Sequence, residues 1–516
     1  MRPDIERQAD EQRPLLVRDE PAHATPGAVQ TQQSTGFGKH LNAFNGYALL
    51  IGCIIGSGIF ASPAAVDTNV PSPGAALLIW LIGGLLAWTG AATLAELGTA
   101  LPGEGSVQEY LKYIYGDFAG FLAAYTWIVA IVPSTLSLLC IVFVETAYSA
   151  ANSASKGTAS GWEYKFISIL VLIINVMLNC INTKTSARLG NFFALVKLFS
   201  VALPVLVGLA VAIIYGVDHS KDFGGKDWHE RGWFTTRPSV TPGGTINWDD
   251  VSMWKALGHY STAIYAGLWA YCGWDGANYI AAELQNPGRQ LPLALNTAIP
   301  TVIASYVLVN AAYYILLPWN EIGLTDAIAI NAVKGLLGKG AGIVFAILIC
   351  LVIIGAINSN VFVAGRLTVA AANKSYIPYF FAYIGSIRHQ PSRTEKLRFD
   401  APFNALILST LLASAYMLIG NFRALLTFIG LTQYTFFFFT VFGDVILRFR
   451  QPELSRPFKP NILIPVIFSL VSAFLVIRGA VFSPIQLGVL VAELGLGGLI
   501  YWSQKVWIKC INGRRS

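Results

Sequence analysis

The chain has 516 residues, 54% of them hydrophobic and only 12% charged. A soluble domain carries about twice that charged fraction, and the apolar residues here fall in runs of about 20, the length that crosses a bilayer; a soluble enzyme or binding domain is excluded. The net charge of +7 does not signal a nucleic-acid partner, because the basic residues fall in alternate short loops, as positive cytosolic loops do.

Residues 1–41 are polar, Pro/Gln-rich and mixed in charge, and read as a disordered cytosolic tail. Leu15-Leu16, near Arg13 and Arg18, has the form of a sorting signal, a common pattern. Run length then predicts an all-α protein of about twelve spans. They fall near 43–68 (broken near Gly56), 74–101, 117–149, 163–182, 189–215 and 254–284 (interrupted near Tyr271). The remaining six are near 297–318, 340–371, 402–419, 423–447, 461–480 and 484–508. The segment from Val217 to Val251 is long, polar and Trp-rich, and is expected outside. Lys184, Arg188, Arg289, Lys374, Arg388, Arg393, Lys396, Arg398, Arg448, Arg450, Arg456 and Lys459 fall in loops on one side, with Lys505, Lys509, Arg514 and Arg515 at the end of the chain. The short loops near Pro71, Lys156 and Ser483 carry almost none. Both termini are therefore expected in the cytosol. The sequon Asn373-Lys374-Ser375 falls inside and is expected to stay unglycosylated.

Cys53, Cys140, Cys180, Cys272 and Cys350 lie in apolar segments and Cys510 near the end, so no external disulfide framework is expected. No Cys/His spacing resembles a metal site, no cofactor is expected, and no cleavable signal peptide opens the chain. A membrane enzyme would need a nucleophile, base or metal constellation, and the His residues are scattered. A channel would need a continuous polar stripe, which the spans lack.

The stretch Ile51 to Ser62, IGCIIGSGIFAS, places Gly52, Gly56 and Gly58 mid-span. Gly costs about 1 kcal/mol against Ala in a helix interior, and a broken helix in lipid survives only if something satisfies its freed backbone groups. A half-helix starting near Gly58 would point free N–H groups and its positive end at a bound anion such as a substrate carboxylate. The alternative is close helix packing on small residues. Five spans later, Gly267 to Ala277 reads GLWAYCGWDGA, again mid-span. Two interrupted helices in corresponding places point to inverted repeats around a substrate site.

GSGIFASP from Gly56, AELGTALPGEGSVQEYL from Ala95, GLWAYCGWD from Gly267 and ELQNPGRQLPLAL from Glu283 resemble the amino acid–polyamine–organocation (APC) superfamily. RFRQPELSRPF from Arg448 is similar to its L-type amino acid transporter branch and the fungal methionine permeases. The resemblance implies a LeuT-type five-plus-five inverted repeat with broken first and sixth helices. It places a core at 42–460 (repeats 43–215 and 254–447), two added helices at 461–508 and a tail at 509–516. It implies secondary active transport of a neutral L-amino acid by alternating access, through exchange or proton coupling. A dedicated high-affinity methionine permease and a transporter-like amino acid sensor stay open.

By position, the resemblance puts the substrate carboxylate on the N–H groups around Gly56, Ser57 and Gly58. It puts the ammonium on carbonyls near Ile54 and Trp269. Trp269 matches an aromatic gate, with an interfacial aromatic as the alternative. Cys272 stands where many relatives have Gly and narrows the pocket wall, or is simply a small hydrophobe. Ile131 and Thr135 are further pocket candidates. Lys197 matches a lysine that replaces the sodium ion of coupled relatives, donating to the first span and to the eighth near Asn358 and Ser359; sodium independence follows. Its alternative is snorkelling to an interface. Asp275 caps the second half-helix or carries a proton. His259 packs near the outside or titrates. Glu96, Glu283 and Asp444 are structural or form an inside gate, and Glu145 lies toward the outside. Some relatives join a single-span glycoprotein through a Cys after the third span; Ser149 to Trp162 contains none, so no disulfide-linked partner is expected. The expected setting is a multi-pass protein of the plasma membrane, with the amino acid and the bilayer as its partners.

Overall fold

The computed structural model describes residues 43–101, 106–151, 161–181, 183–241, 243–276, 286–324, 327–383 and 402–512. The N-terminal tail, Lys156, the end of the sixth span with Glu283, the cluster Arg388–Lys396–Arg398 with Arg393, and Arg514 and Arg515 lie outside the described residues, as do the side chains of Lys184, Arg188, Lys509 and Cys510. The described fold is almost wholly helical, with one small hairpin.

The first span is two helices, α1 (Ala43–Ile54) and α2 (Gly58–Asp67). Ser72 opens α3 (Pro73–Ala100) by accepting from Ala75 N at 3.2 Å, with Pro73 at the first position, where its missing N–H costs nothing. Next comes α4 (Val107–Tyr115), an amphipathic helix that run length did not reveal because it is too short and too polar to cross. Gly116, at φ 94°, turns the chain into α5 (Asp117–Thr126). One π turn (Trp127–Ile131) joins α5 to α6 (Val132–Ala151), completing the third span. Then follow α7 (Trp162–Ile181) and α8 (Thr183–Val217).

The outer segment expected as a plain loop is folded: α9 (Asp227–Glu230), then strands β1 (Ser239–Thr241) and β2 (Gly244–Ile246) paired antiparallel. Its tryptophans explain the order. Trp233 stacks edge-on against Tyr314 and Trp319, and its carbonyl accepts from Gly74 N at 2.7 Å. Ser252 caps α10 (Met253–Ala270), the first half of the sixth span.

The seventh span, α11 (Pro287–Leu316), begins ten residues before the expected start, so the inner loop with Arg289 is its first turn. The eighth, α12 (Ile328–Asn373), contains a break at Gly338 (φ 84°), which separates a short outer helix from the crossing itself. Four further helices, α13 (Phe403–Ile419), α14 (Phe422–Arg450), α15 (Leu463–Phe482) and α16 (Pro484–Asn512), complete the chain. Among the described residues nine helices are long and apolar enough to cross a membrane. The shorter α13 and the two interrupted helices account for the rest of the expected spans. The outer faces carry bare Leu, Ile and Phe, such as Leu78, Leu470 and Leu499. A helix in lipid satisfies its backbone internally and needs no polar cover there.

Candidate functional site

The first break spans Ile55 to Ser57. The Ile55 N–H still donates to Ile51 O, and the next backbone bonds are Phe60 N and Ala61 N to Ser57 O. Among the described residues the N–H groups of Ser57, Gly58 and Ile59 therefore donate to no backbone carbonyl, and no side chain caps α2. The Ser57 hydroxyl is buried and unpartnered as well. A run of free donors at a helix N-terminus is a site for a negative group. Gly58 is required by contact: a Cβ there would stand 2.5 Å from Ala270 Cα.

The second break runs from Tyr271 to Asp275. Gly273 has φ 105°, and a Cβ on it would meet Cys53 O at 2.7 Å. So the two breaks are pressed together. The Asp275 carboxylate lies against the backbone N–H groups of Gly273, Asp275 and Gly276; the residues whose N–H groups a helix cap would serve, from 277 on, lie outside the described residues. Its donors are thus taken by the protein itself.

One cavity lies between the breaks. Ile54, Gly56, Ser57, Gly58, Ile131, Thr135, Trp269, Cys272 and Asp275 all line it. Its room is about 100 Å³, the scale of a small solute. Trp269 is 9% exposed and meets Phe422 edge-on at 5.6 Å. Cys272 Sγ lies 3.8 Å from Gln433 Oε1, and Thr135 Oγ1 donates to Ile131 O at 2.8 Å.

Lys197 is 1% exposed, so it does not snorkel. Its Nζ donates to Gly52 O, in the last turn of α1. On the eighth span, Asn358 Oδ1 accepts from Asn179 at 2.7 Å and Ser359 Oγ donates to Gly355 O at 3.0 Å. His259 stands away from the cavity. Its Nδ1 is 2.8 Å from Asn69 Oδ1 and its ring packs on Trp248 and Phe482.

Several residues here were not singled out from the sequence. The Tyr306 hydroxyl lies 3.1 Å from Ile54 O and 3.0 Å from Ala270 O, between the last carbonyls of both half-helices. Trp127, Asn360 and Gln433 add to the cavity wall. At the end of the bundle near residues 217–251, Asp67 pairs with Arg237 and accepts from the Tyr314 hydroxyl at 2.6 Å. Elsewhere, Glu96 pairs with Arg448, and Arg456 Nε lies 3.0 Å from it. Asp444 Oδ2 lies 3.5 Å from Arg448 Nε. Asp67, a lone acid in an apolar run, was the legible signal for the outer pair.

The family model described as amino acid permease matches residues 41–500. The human b(0,+)-type amino acid transporter 1 is 29% identical over 493 residues, covering 93% of each chain. Its mouse counterpart is 30% identical over 477 residues, 92% of this chain and 90% of its own. The rat large neutral amino acids transporter small subunit 2 is 28% identical over 509 residues, 97% of this chain and 89% of its own.

Proposed function

The chain belongs to the amino acid permease family of multi-pass membrane proteins, transporters rather than enzymes, and on that premise we propose that it is a sodium-independent carrier of neutral L-amino acids working by alternating access. The observation that carries this reading is the row of free N–H groups at Ser57, Gly58 and Ile59, the first two on residues that line a small cavity. A zwitterion fits there without a buried protein charge. Its carboxylate takes the positive end of α2, and its ammonium takes the carbonyl ends of α1 and α10. Ile54 O already accepts one bond, from Tyr306, and keeps a second lone pair for the ammonium, whereas Trp269 O takes the N–H groups of Tyr271 and Cys272. The side chain is then left to Ile131, Thr135, Cys272 and Gln433, which carry no formal charge; a neutral substrate follows.

Lys197 supports sodium independence, because its ammonium occupies the place beside Gly52 O that a coupled cation would need. The absence of Cys between Ser149 and Trp162 favours work without a disulfide-linked partner. The relative named a small subunit makes this worth checking on a non-reducing gel of the native membrane. Residence in the plasma membrane with both termini inside completes the reading.

The test is uptake of labelled methionine and leucine by vesicles holding the purified protein. Saturable uptake with counterflow, indifferent to sodium, is expected. Binding without uptake would mark a sensor instead, and dependence on sodium would remove the role given to Lys197.

A further inference from the structure

The last helix carries one acid within its crossing. Glu493 lies in the apolar stretch Pro484–Val506, most of which faces lipid. Its carboxyl turns inward: both oxygens are buried and neither has a hydrogen-bond partner. Thr126, the last residue of α5, faces it, and the Thr126 hydroxyl is also buried and unpartnered. Tyr125 and Tyr416 border the same spot. Beyond Tyr416, two turns up the third span from Thr126, the Ser134 hydroxyl is a third buried group without a partner. These groups form a string of hydroxyls behind the third span.

No cation answers this carboxyl among the described residues. On α5, Asp117 is engaged with Lys112 and Tyr501. On α14, Arg423 sits at the outer end, and Asp444 and Arg448 belong to the Glu96 cluster. On α15, Arg478 donates to Trp254 O at the outside. On α16 itself, Lys505 lies over the Tyr501 ring. An ionised carboxylate sealed from water with no counter-charge is strongly disfavoured, and an intramembrane acid is functional by default. Its neighbours Val491, Ala492 and Leu494 are apolar.

The position links it to the cavity. Thr126 is followed directly by the π turn, and two residues of that turn, Trp127 and Ile131, line the cavity. Such turns recur at functional sites. The Thr126 hydroxyl beside it is able to accept from the protonated carboxyl or to donate to the carboxylate. The change bears on the residue that starts the turn.

We propose that Glu493 is a proton-binding site coupled to transport: its carboxylate takes up one proton from the outer side and releases it to the inner side for each amino acid carried. No bond other than O–H forms or breaks. The inference rests on the carrier reading and selects proton coupling over pure exchange.

Vesicles holding the full chain test it, with labelled methionine, with and without an inward proton gradient. One proton per amino acid raises wild-type accumulation by up to about tenfold per pH unit. Glu493→Gln, which fixes the neutral shape, is expected to abolish that gain while keeping counterflow. Thr126→Val is expected to shift the pH at which the gain appears. Proton uptake on methionine binding, read with an indicator in weakly buffered detergent, is expected in the wild type and lost in Glu493→Gln, and this readout holds even if the variant no longer cycles. A gradient-driven gain that survives in Glu493→Gln overturns the inference and leaves the carrier reading intact. So does a wild type that shows counterflow but ignores the gradient. A wild type without counterflow overturns both.

Discussion

The two helix breaks look alike in sequence and differ in chemistry. Each has glycines mid-span, and each ends a half-helix, α1 at Ile54 and α10 at Ala270. At the second, the Asp275 carboxylate takes the N–H groups of Gly273, Asp275 and Gly276. At the first, Ser57 caps nothing, and three N–H groups are left over. A pair of breaks therefore does not make two anion sites. In the proposed reading the donors at the second break are filled by the protein and those at the first are kept for the ligand, which sets which way round a zwitterion lies.

Substitutions at the two breaks can separate packing from binding. The largest effect is expected from Gly58→Ala, whose Cβ would meet backbone atoms of Ala270. Overpacking of this kind costs about 1–3 kcal/mol or more; the variant is expected to lose its monodisperse peak on size-exclusion and all uptake. Lys197→Met comes next. It removes a charge-assisted bond to Gly52 O, worth about 1.5–3 kcal/mol. Initial uptake rates should fall by about 10–100-fold, because the end of α1 is no longer held. Asp275→Ala removes the carboxylate that the second break's own N–H groups hold, a hydrogen-bonding loss of about 0.5–1.5 kcal/mol. Thermal stability should drop while KM stays within about twofold, since a loss below about 0.4 kcal/mol of binding is all this account allows. A KM raised tenfold would mean that Asp275 touches the substrate and that the two breaks are not opposites. Gly56→Ala is the mildest. Its Cβ would have 3.7 Å to Ala356 Cβ, so folding should be unchanged and only KM should rise, through a narrower cavity.

Much of the site was legible because unusual residues in apolar runs are informative. Gly56, Ser57 and Gly58, then Trp269 and Cys272, and Lys197 all stand out against a background of Leu, Ile and Val. The cavity brings together every pocket candidate read from the sequence, and Lys197 sits just behind it. What was not legible depends on contacts far apart in the chain. Tyr306 is one tyrosine of twenty-one, and nothing local says that it reaches the ends of two other helices. Gln433 is one polar residue on a long span until Cys272 comes to lie against it. The folded cap over the outside was missed for another reason. Its order comes from Trp233 and Arg237 docking on other segments, and residues 217–251 have no period of their own.

The central claim is that the substrate carboxylate lies at the first break. The most direct test is a structure of the full chain with methionine bound. The account predicts the carboxylate within about 3 Å of the N–H groups of Ser57, Gly58 or Ile59, with the side chain toward Cys272 and Gln433. A carboxylate found instead against Lys197, or at Gly276 with Asp275 displaced, would contradict it.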